Sequence, residues 1–214
     1  NTQIPINSVA GDQQAALYGN GAFNANSSKC TYGTGLFFLL NTGNKRTDSK
    51  NGLLTTLACD KNGKPIYAIE GSIFIGGALI QWLRDSLKII NKASETEKIA
   101  LSIQNTNGVY IVPAFAGLGA PHWNSDCKGI ITGLTGGANK NHIIRASLES
   151  IAYQVNDLLR CIEKDINKKI KILNVDGGAT NNNFLMQFQA DISNIKISKP
   201  KNIESTALGV AIMA

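Results

Sequence analysis

The 214 residues contain little from which a metal framework could be built. Only four cysteines and two histidines occur. Cys30, Cys59, Cys127 and Cys161 form no C-x-x-C pair, and His122 and His142 lie near no cysteine cluster. These spacings exclude a zinc site from the reading and leave four free thiols, as suits a reducing cytosol. No apolar stretch reaches the roughly 20 residues of a membrane span. The first residues (NTQIPINSVAG) lack the basic and apolar regions of a signal peptide. A cytoplasmic protein with no membrane span is the expectation. The familiar phosphate loops are missing too. No G-x-x-x-x-G-K-[ST] occurs, which excludes a P-loop. Gly33-Thr34-Gly35 runs into Leu36 and Phe37, and Gly117-Leu118-Gly119 lacks a third glycine. The dinucleotide and protein-kinase fingerprints therefore fail.

What is present can fold. Hydrophobic residues make up 43% and charged residues 17%, enough apolar surface for a core. The net charge is +6, but the lysines are scattered apart from EKDINKKIK at 163–171. A nucleic-acid partner is not expected; a solvated basic face, or one suited to polyphosphate, accounts for the charge. The chain starts at Asn1 and stops at Ala214 within an apolar, helix-like run, STALGVAIMA. Both ends read as cuts in a longer chain.

The pattern predicts a strand over 4–10, a turn at Gly11 and a helix over 13–19 with Asp12 as its cap. Strands follow at 29–33, 36–41, 53–59 and 66–70, hairpin-connected and antiparallel, with a turn at Asn62-Gly63. A helix is predicted over 72–90 and a shorter one over 95–103, then strands at 109–113 and 129–134 flanking a glycine-rich loop at 115–124. Ile144, Leu148, Ile151, Val155, Leu158 and Ile162 alternate spacings of four and three, which predicts a strong helix over 141–163. A strand at 172–176, a helix over 182–193, a strand near 195–198 and a helix from 204 complete the chain. Hairpins followed by alternating helices and strands imply an α/β domain, a mixed sheet flanked by helices. With no repeat or linker, residues 1–214 read as one domain.

Three glycine turns can approach a ligand closely or bind phosphate through backbone N–H groups. They are Gly33-Thr34-Gly35, Gly76-Gly77 and Gly177-Gly178-Ala179. Each taken singly is equally a tight turn or a packing contact. Asp12, at a helix N-terminus, can deprotonate an alcohol or simply cap the helix. Gln13 beside it can bind a hydroxyl or face solvent. His122 and Trp123 sit in a loop that is structural or edges a site.

Several segments occur in the order and wording of a known family. They are AGDQQAALYG around Asp12, TYGTG at 31–35, NGLLTTLAC at 51–59 and EGSIFIGGALIQWLRD at 70–85. QNTNGVYIVPAFAGLGAPHW at 104–123, HIIRASLESIAYQ at 142–154, VDGGATNNNFLMQFQAD at 175–191 and ESTALGVAIMA at 204–214 complete the series. Over essentially the whole chain these resemble the glycerol kinases of the FGGY carbohydrate kinase family. The resemblance implies a ribonuclease H-like, actin-like ATPase fold in two domains, of which this chain is the C-terminal, nucleotide-binding one. It implies ATP-dependent phosphorylation of glycerol, with ATP and Mg2+ as cofactors, and a homo-oligomeric full-length enzyme. Asp12 would be the catalytic base and would bind substrate with Gln13. Thr34, Gly77, Gln81, Gly178 and Asn182 would bind nucleotide. No protein metal site is assigned.

Two departures from the family pattern matter. The N-terminal domain, which supplies further glycerol, phosphate and metal contacts, is missing, so the isolated chain should be inactive. Members inhibited by fructose 1,6-bisphosphate carry an arginine just before IPI, where this chain has Gln3, so that inhibition is not expected. Another FGGY sugar or polyol kinase, or a non-catalytic nucleotide-binding module, are the other readings.

Overall fold

The computed structural model describes residues 4–214; the Gln3 position lies outside them. A six-stranded mixed sheet forms the centre. Its strands are β1 (Ser28–Tyr32), β2 (Leu36–Gly43), β3 (Leu54–Cys59), β4 (Pro65–Ile73), β7 (Ile172–Asp176) and β8 (Lys196–Ser198), in the order β3-β4-β2-β1-β7-β8. The first four are antiparallel, while β7 lies parallel to β1 and to β8. β5 (Tyr110–Val112) and β6 (Ile130–Thr132) make a separate antiparallel pair.

Period-two alternation decides what each face buries. Cys30 and Tyr32 of β1, Leu36, Phe38 and Leu40 of β2, Ile69 and Ile73 of β4, and Leu173 and Val175 of β7 join the larger core. That core is closed by α4 (Lys140–Ile166), whose Ile144, Leu148, Ile151, Val155, Leu158 and Ile162 are fully buried. α2 (Gly77–Asp85), α3 (Glu95–Leu101) and α5 (Asn183–Ser193) contribute to the same layer. The 27-residue α4 starts on a capping box: the Asn139 side chain accepts from Asn141 N–H, and Asn139 N–H donates to His142 Nδ1 at 3.0 Å. His142 is thus a capping residue. On the opposite face Leu39 and Ala68 pack with Leu17 of α1 (Asp12–Gly19), against which α6 (Ser205–Met213) lies. The same alternation sends Lys29 and Thr31 of β1, Glu70 of β4 and Asp176 of β7 to this α1 face.

Three expectations need correction. Residues 4–10 form no strand, and Ile4, Ile6 and Val9 are 84–89% exposed; no described strand lies beside them, and an apolar alternation makes a strand only where a neighbour and a buried face exist. The helix predicted over 72–90 is two elements: Ile73 pairs with Leu36 as the end of β4, and α2 begins at Gly77. The apolar spacing there mixed a strand end with a helix face. Finally, β2 pairs with β4 rather than with β3, which forms the sheet edge.

Cys30 is inaccessible, and burial pushes its thiol up to about 12. The other three thiols are partly exposed. Titration with Ellman's reagent at pH 8 is expected to reach at most three thiols in the native protein and four in guanidinium, because the thiolate is the nucleophile. Four fast-reacting native thiols would mean that β1 does not bury this face.

Candidate functional site

A cavity of about 470 Å³ opens at the C-terminal ends of β1 and β7. The turn after β1 supplies Gly33 and Thr34, α2 supplies Gly77, Gln81 and Arg84, and the segment after β7 supplies Gly178 and Asn181. Asn182 and Leu185 come from the start of α5, Thr96 and Glu97 from α3, and Leu148 and Ile151 of α4 form an apolar base. Five positions predicted from sequence to bind nucleotide, Thr34, Gly77, Gln81, Gly178 and Asn182, therefore line one cavity although they lie on three separate stretches of chain.

The backbone around the first two turns is tightly joined. Gly76 N–H and Ala78 N–H donate to the Thr34 carbonyl at 2.8 and 3.1 Å, and Gly77 N–H donates to the Gly33 carbonyl at 2.8 Å. The α2 N-terminal amides, which an anion could otherwise use, are thus satisfied by the preceding turn. Gly33 N–H donates to Gly35 O at 3.0 Å, while among the described residues Thr34 and Gly35 donate to no backbone carbonyl outside the strands. A Cβ at residue 77 would stand 2.7 Å from Gly33 O, so glycine permits the close approach of helix and turn. Gly178 differs: a Cβ there would meet no protein atom within 4 Å. Asn182 caps α5, its Oδ1 accepting from Leu185 N–H at 2.9 Å, and its Nδ2 donates to Thr96 Oγ1 at 3.0 Å. Glu97 accepts from the Asn183 backbone at 2.7 Å and from its side chain at 3.1 Å. The α3–α5 corner of the cavity is therefore cross-linked. Arg84, Thr96 and Glu97 escaped the sequence reading, since polar residues on short helices carry no signal until those helices are placed.

Asp12 and Gln13 do not line this cavity. Gly11, not Asp12, is the N-cap of α1, and the Asp12 side chain makes no cap. The exposed carboxylate instead accepts from Gln13, Oδ1 from the backbone N–H at 2.9 Å and Oδ2 from Nε2 at 3.1 Å. The capping expectation is corrected: Gly11 holds the N-cap position, and Asp12, as the first helical residue, reaches only the open amide of its neighbour Gln13 rather than those a turn further on. Behind Gln13 stands Lys29, wholly buried, whose Nζ donates to Gln13 Oε1 at 2.5 Å and to Thr31 Oγ1 at 2.9 Å. Burial lowers the Lys29 pKa, with the Asp176 charge the largest opposing influence. Burial likewise raises that of Glu70, and Lys29 works against the rise. Asp176 is 1% exposed; Oδ2 accepts from Asn20 Nδ2 at 2.5 Å, and Oδ1 has no partner among the described residues. Sequence reading left Lys29 among scattered surface lysines. Trp123, at the loop expected to edge a site, donates through Nε1 to the Gly52 carbonyl at 2.6 Å and does not line the cavity.

Comparisons with known proteins bear on what this arrangement is. Residues 28–214 match the FGGY family of carbohydrate kinases, C-terminal domain. The chain is 59% identical over 211 residues to a glycerol kinase of Clostridium botulinum (strain Langeland / NCTC 10281 / Type F), covering 99% of this chain and 42% of that protein. A crystal structure of Plasmodium falciparum glycerol kinase with ADP is similar at TM-score 0.88 and 44% identity, covering 95% of this chain and 41% of that one. A gluconate kinase from Lactobacillus acidophilus shares the fold at TM-score 0.82 and 22% identity, with coverage of 95% and 41%. The chain thus spans about two-fifths of the length of these relatives.

Proposed function

Since this chain belongs to the FGGY family of carbohydrate kinases, as its C-terminal domain, we propose that it is the nucleotide-binding half of an enzyme that transfers phosphate from ATP to glycerol. The observation that carries the reading is the convergence of Thr34, Gly77, Gln81, Gly178 and Asn182 on one cavity. Adenosine sits between α2, α3 and the start of α5, above the apolar base. The phosphates run along the Gly33–Gly35 turn, where the Thr34 hydroxyl and the undonated amides face them. A terminal hydroxyl of glycerol attacks the γ-phosphorus in line; the new O–P bond forms as the bond to ADP breaks, and Asp12 takes the hydroxyl proton. Gln13 binds a glycerol hydroxyl. The substrate assignment rests on the drop from 59% and 44% identity with glycerol kinases to 22% with a gluconate kinase.

Among the described residues no group of three His, Cys, Asp or Glu side chains is placed to hold a metal. Mg2+ would be carried mainly on phosphate oxygens of the nucleotide. Bound so, the ion offsets phosphate charge. The remaining glycerol, phosphate and metal contacts come from an N-terminal domain, and the full-length protein works as a cytoplasmic homo-oligomer. The four free thiols agree with that compartment.

The test is calorimetric titration with Mg-ADP, together with turnover of the full-length protein on glycerol, gluconate and a pentulose. Nucleotide binding with glycerol strongly preferred is the expected result; no turnover of glycerol would overturn the substrate. Gly178→Ala isolates the nucleotide site. The added methyl meets no protein atom, so the melting temperature should not move, whereas a ligand against this backbone loses about 1–3 kcal/mol to overpacking, roughly 10- to 100-fold in Kd. Unchanged affinity would remove Gly178 from the site.

A further inference from the structure

The buried Lys29 has no place in the steps above, and the fold alone does not call for it. A lysine with 0% exposure is costly to bury, and an apolar residue of similar volume is often as good or better for stability. Its surroundings are polar by design of the sheet: β1 directs Lys29 and Thr31 to the α1 face, where Glu70 and Asp176 also point and offset part of the cost. An ammonium only donates hydrogen bonds. The atom of the Gln13 amide facing it must therefore be the oxygen, Oε1 at 2.5 Å. The amide's NH2 group must then face the other way, where Nε2 stands 3.1 Å from Asp12 Oδ2. Thr31 Oγ1, 2.9 Å from Nζ, anchors the ammonium to the strand. That strand continues directly into the Gly33–Gly35 turn of the cavity.

We infer that Lys29 is a positioning residue for Asp12: it dictates which way the Gln13 amide faces, and that amide orients the carboxylate. The inference rests on the proposed role of Asp12 as base and extends it to a residue that touches neither substrate. Through Lys29 and Thr31 the base is tied to the strand that carries the phosphate turn, so both sides of the reaction share one rigid reference.

The experiment is a double-mutant cycle in the full-length protein, read as kcat and KM for both substrates. Lys29→Met is expected to lower kcat about 10- to 30-fold, the size of a hydrogen bond involving a charged group, with KM for ATP unchanged. In a Gln13→Ala background the same substitution should cost less than about 3-fold, since Lys29 then has nothing to orient. Equal losses in both backgrounds would overturn the proposal, because a merely structural lysine acts regardless of Gln13. If Lys29→Met does not fold, Thr31→Val, which keeps the ammonium but frees it from its anchor, is read in the same cycle with the same two outcomes. A readout free of turnover separates this inference from the kinase reading. The Gln13 side-chain NH2 resonances in 15N-labelled protein should move on Lys29→Met or Thr31→Val and again on Asp12→Asn. Resonances that stay put overturn the positioning role alone; a wild-type protein inactive on every polyol and sugar, with those shifts present, overturns the kinase reading alone.

Discussion

Asp12→Asn in the full-length protein is expected to lower kcat for phosphate transfer to glycerol by about 10³-fold, within the range that general-base removal commonly costs. The substitution preserves volume, and Asp12 is exposed at the first residue of α1, so stability should stay within about 0.5 kcal/mol. An asparagine can still accept from the Gln13 backbone N–H, the bond that Oδ1 makes at 2.9 Å. Its NH2 group, however, then meets the Gln13 Nε2 donor that Oδ2 now receives at 3.1 Å, and no group remains to take the hydroxyl proton. KM for ATP should be unchanged, because neither Asp12 nor Gln13 lines the cavity proposed for nucleotide. Steady-state kinetics with both substrates checks this. Turnover that survives intact would remove Asp12 as the base and favour a non-catalytic nucleotide-binding role for this chain.

How much of this was legible in the sequence depends on how local each cause is. The α4 stripe and the β7 run 172–176 were readable because period and apolarity coincide within one element; β7 falls at the predicted residues. The segment 72–90 misled because Ile73 belongs to a ladder with β2, a partner distant in sequence, while Gly76-Gly77 looked like tolerable helix residues rather than a boundary. Residues 4–10 alternate as a strand does, yet no neighbour exists among the described residues to pair with them. The site divides in the same way. Each glycine turn was visible, but composition could not say that three of them share a cavity; the family resemblance joined them, and the fold brings their residues together. Lys29 was invisible as anything special. Alternation along β1 could have placed it beside Thr31, but its burial is produced by α1 docking across the sheet, which no local pattern records.

That docking has its own weak point, where α1 crosses α6. A Cβ at Gly209 would sit on the Ala15 carbonyl, and one at Gly19 on the Ser205 carbonyl; both atoms are backbone and cannot rotate aside. α1 is eight residues long, too short to be stable by itself, so its place is set by the packing of Ala15, Ala16 and Leu17. Gly209→Ala must push the two helices apart. We expect a loss of about 1–3 kcal/mol in stability, the usual cost of overpacking. The functional effect should be larger than that figure suggests. Displacing α1 carries Asp12 and Gln13 with it and strains the Lys29–Gln13 bond, and a misplacement of about 1 Å at a reacting group can cost about 10²-fold in rate. Affinity for ADP should hold, since the cavity is built on the α4 face from Leu148, Ile151 and Leu185. Thermal melting, kcat and a nucleotide titration on the one variant would test all three parts. Gly178→Ala should give the converse pattern, with affinity lost and melting unchanged. If instead Gly209→Ala weakened ADP binding as much as turnover, the two faces of the sheet would not be acting separately, and the division of labour between base and nucleotide cavity would fail.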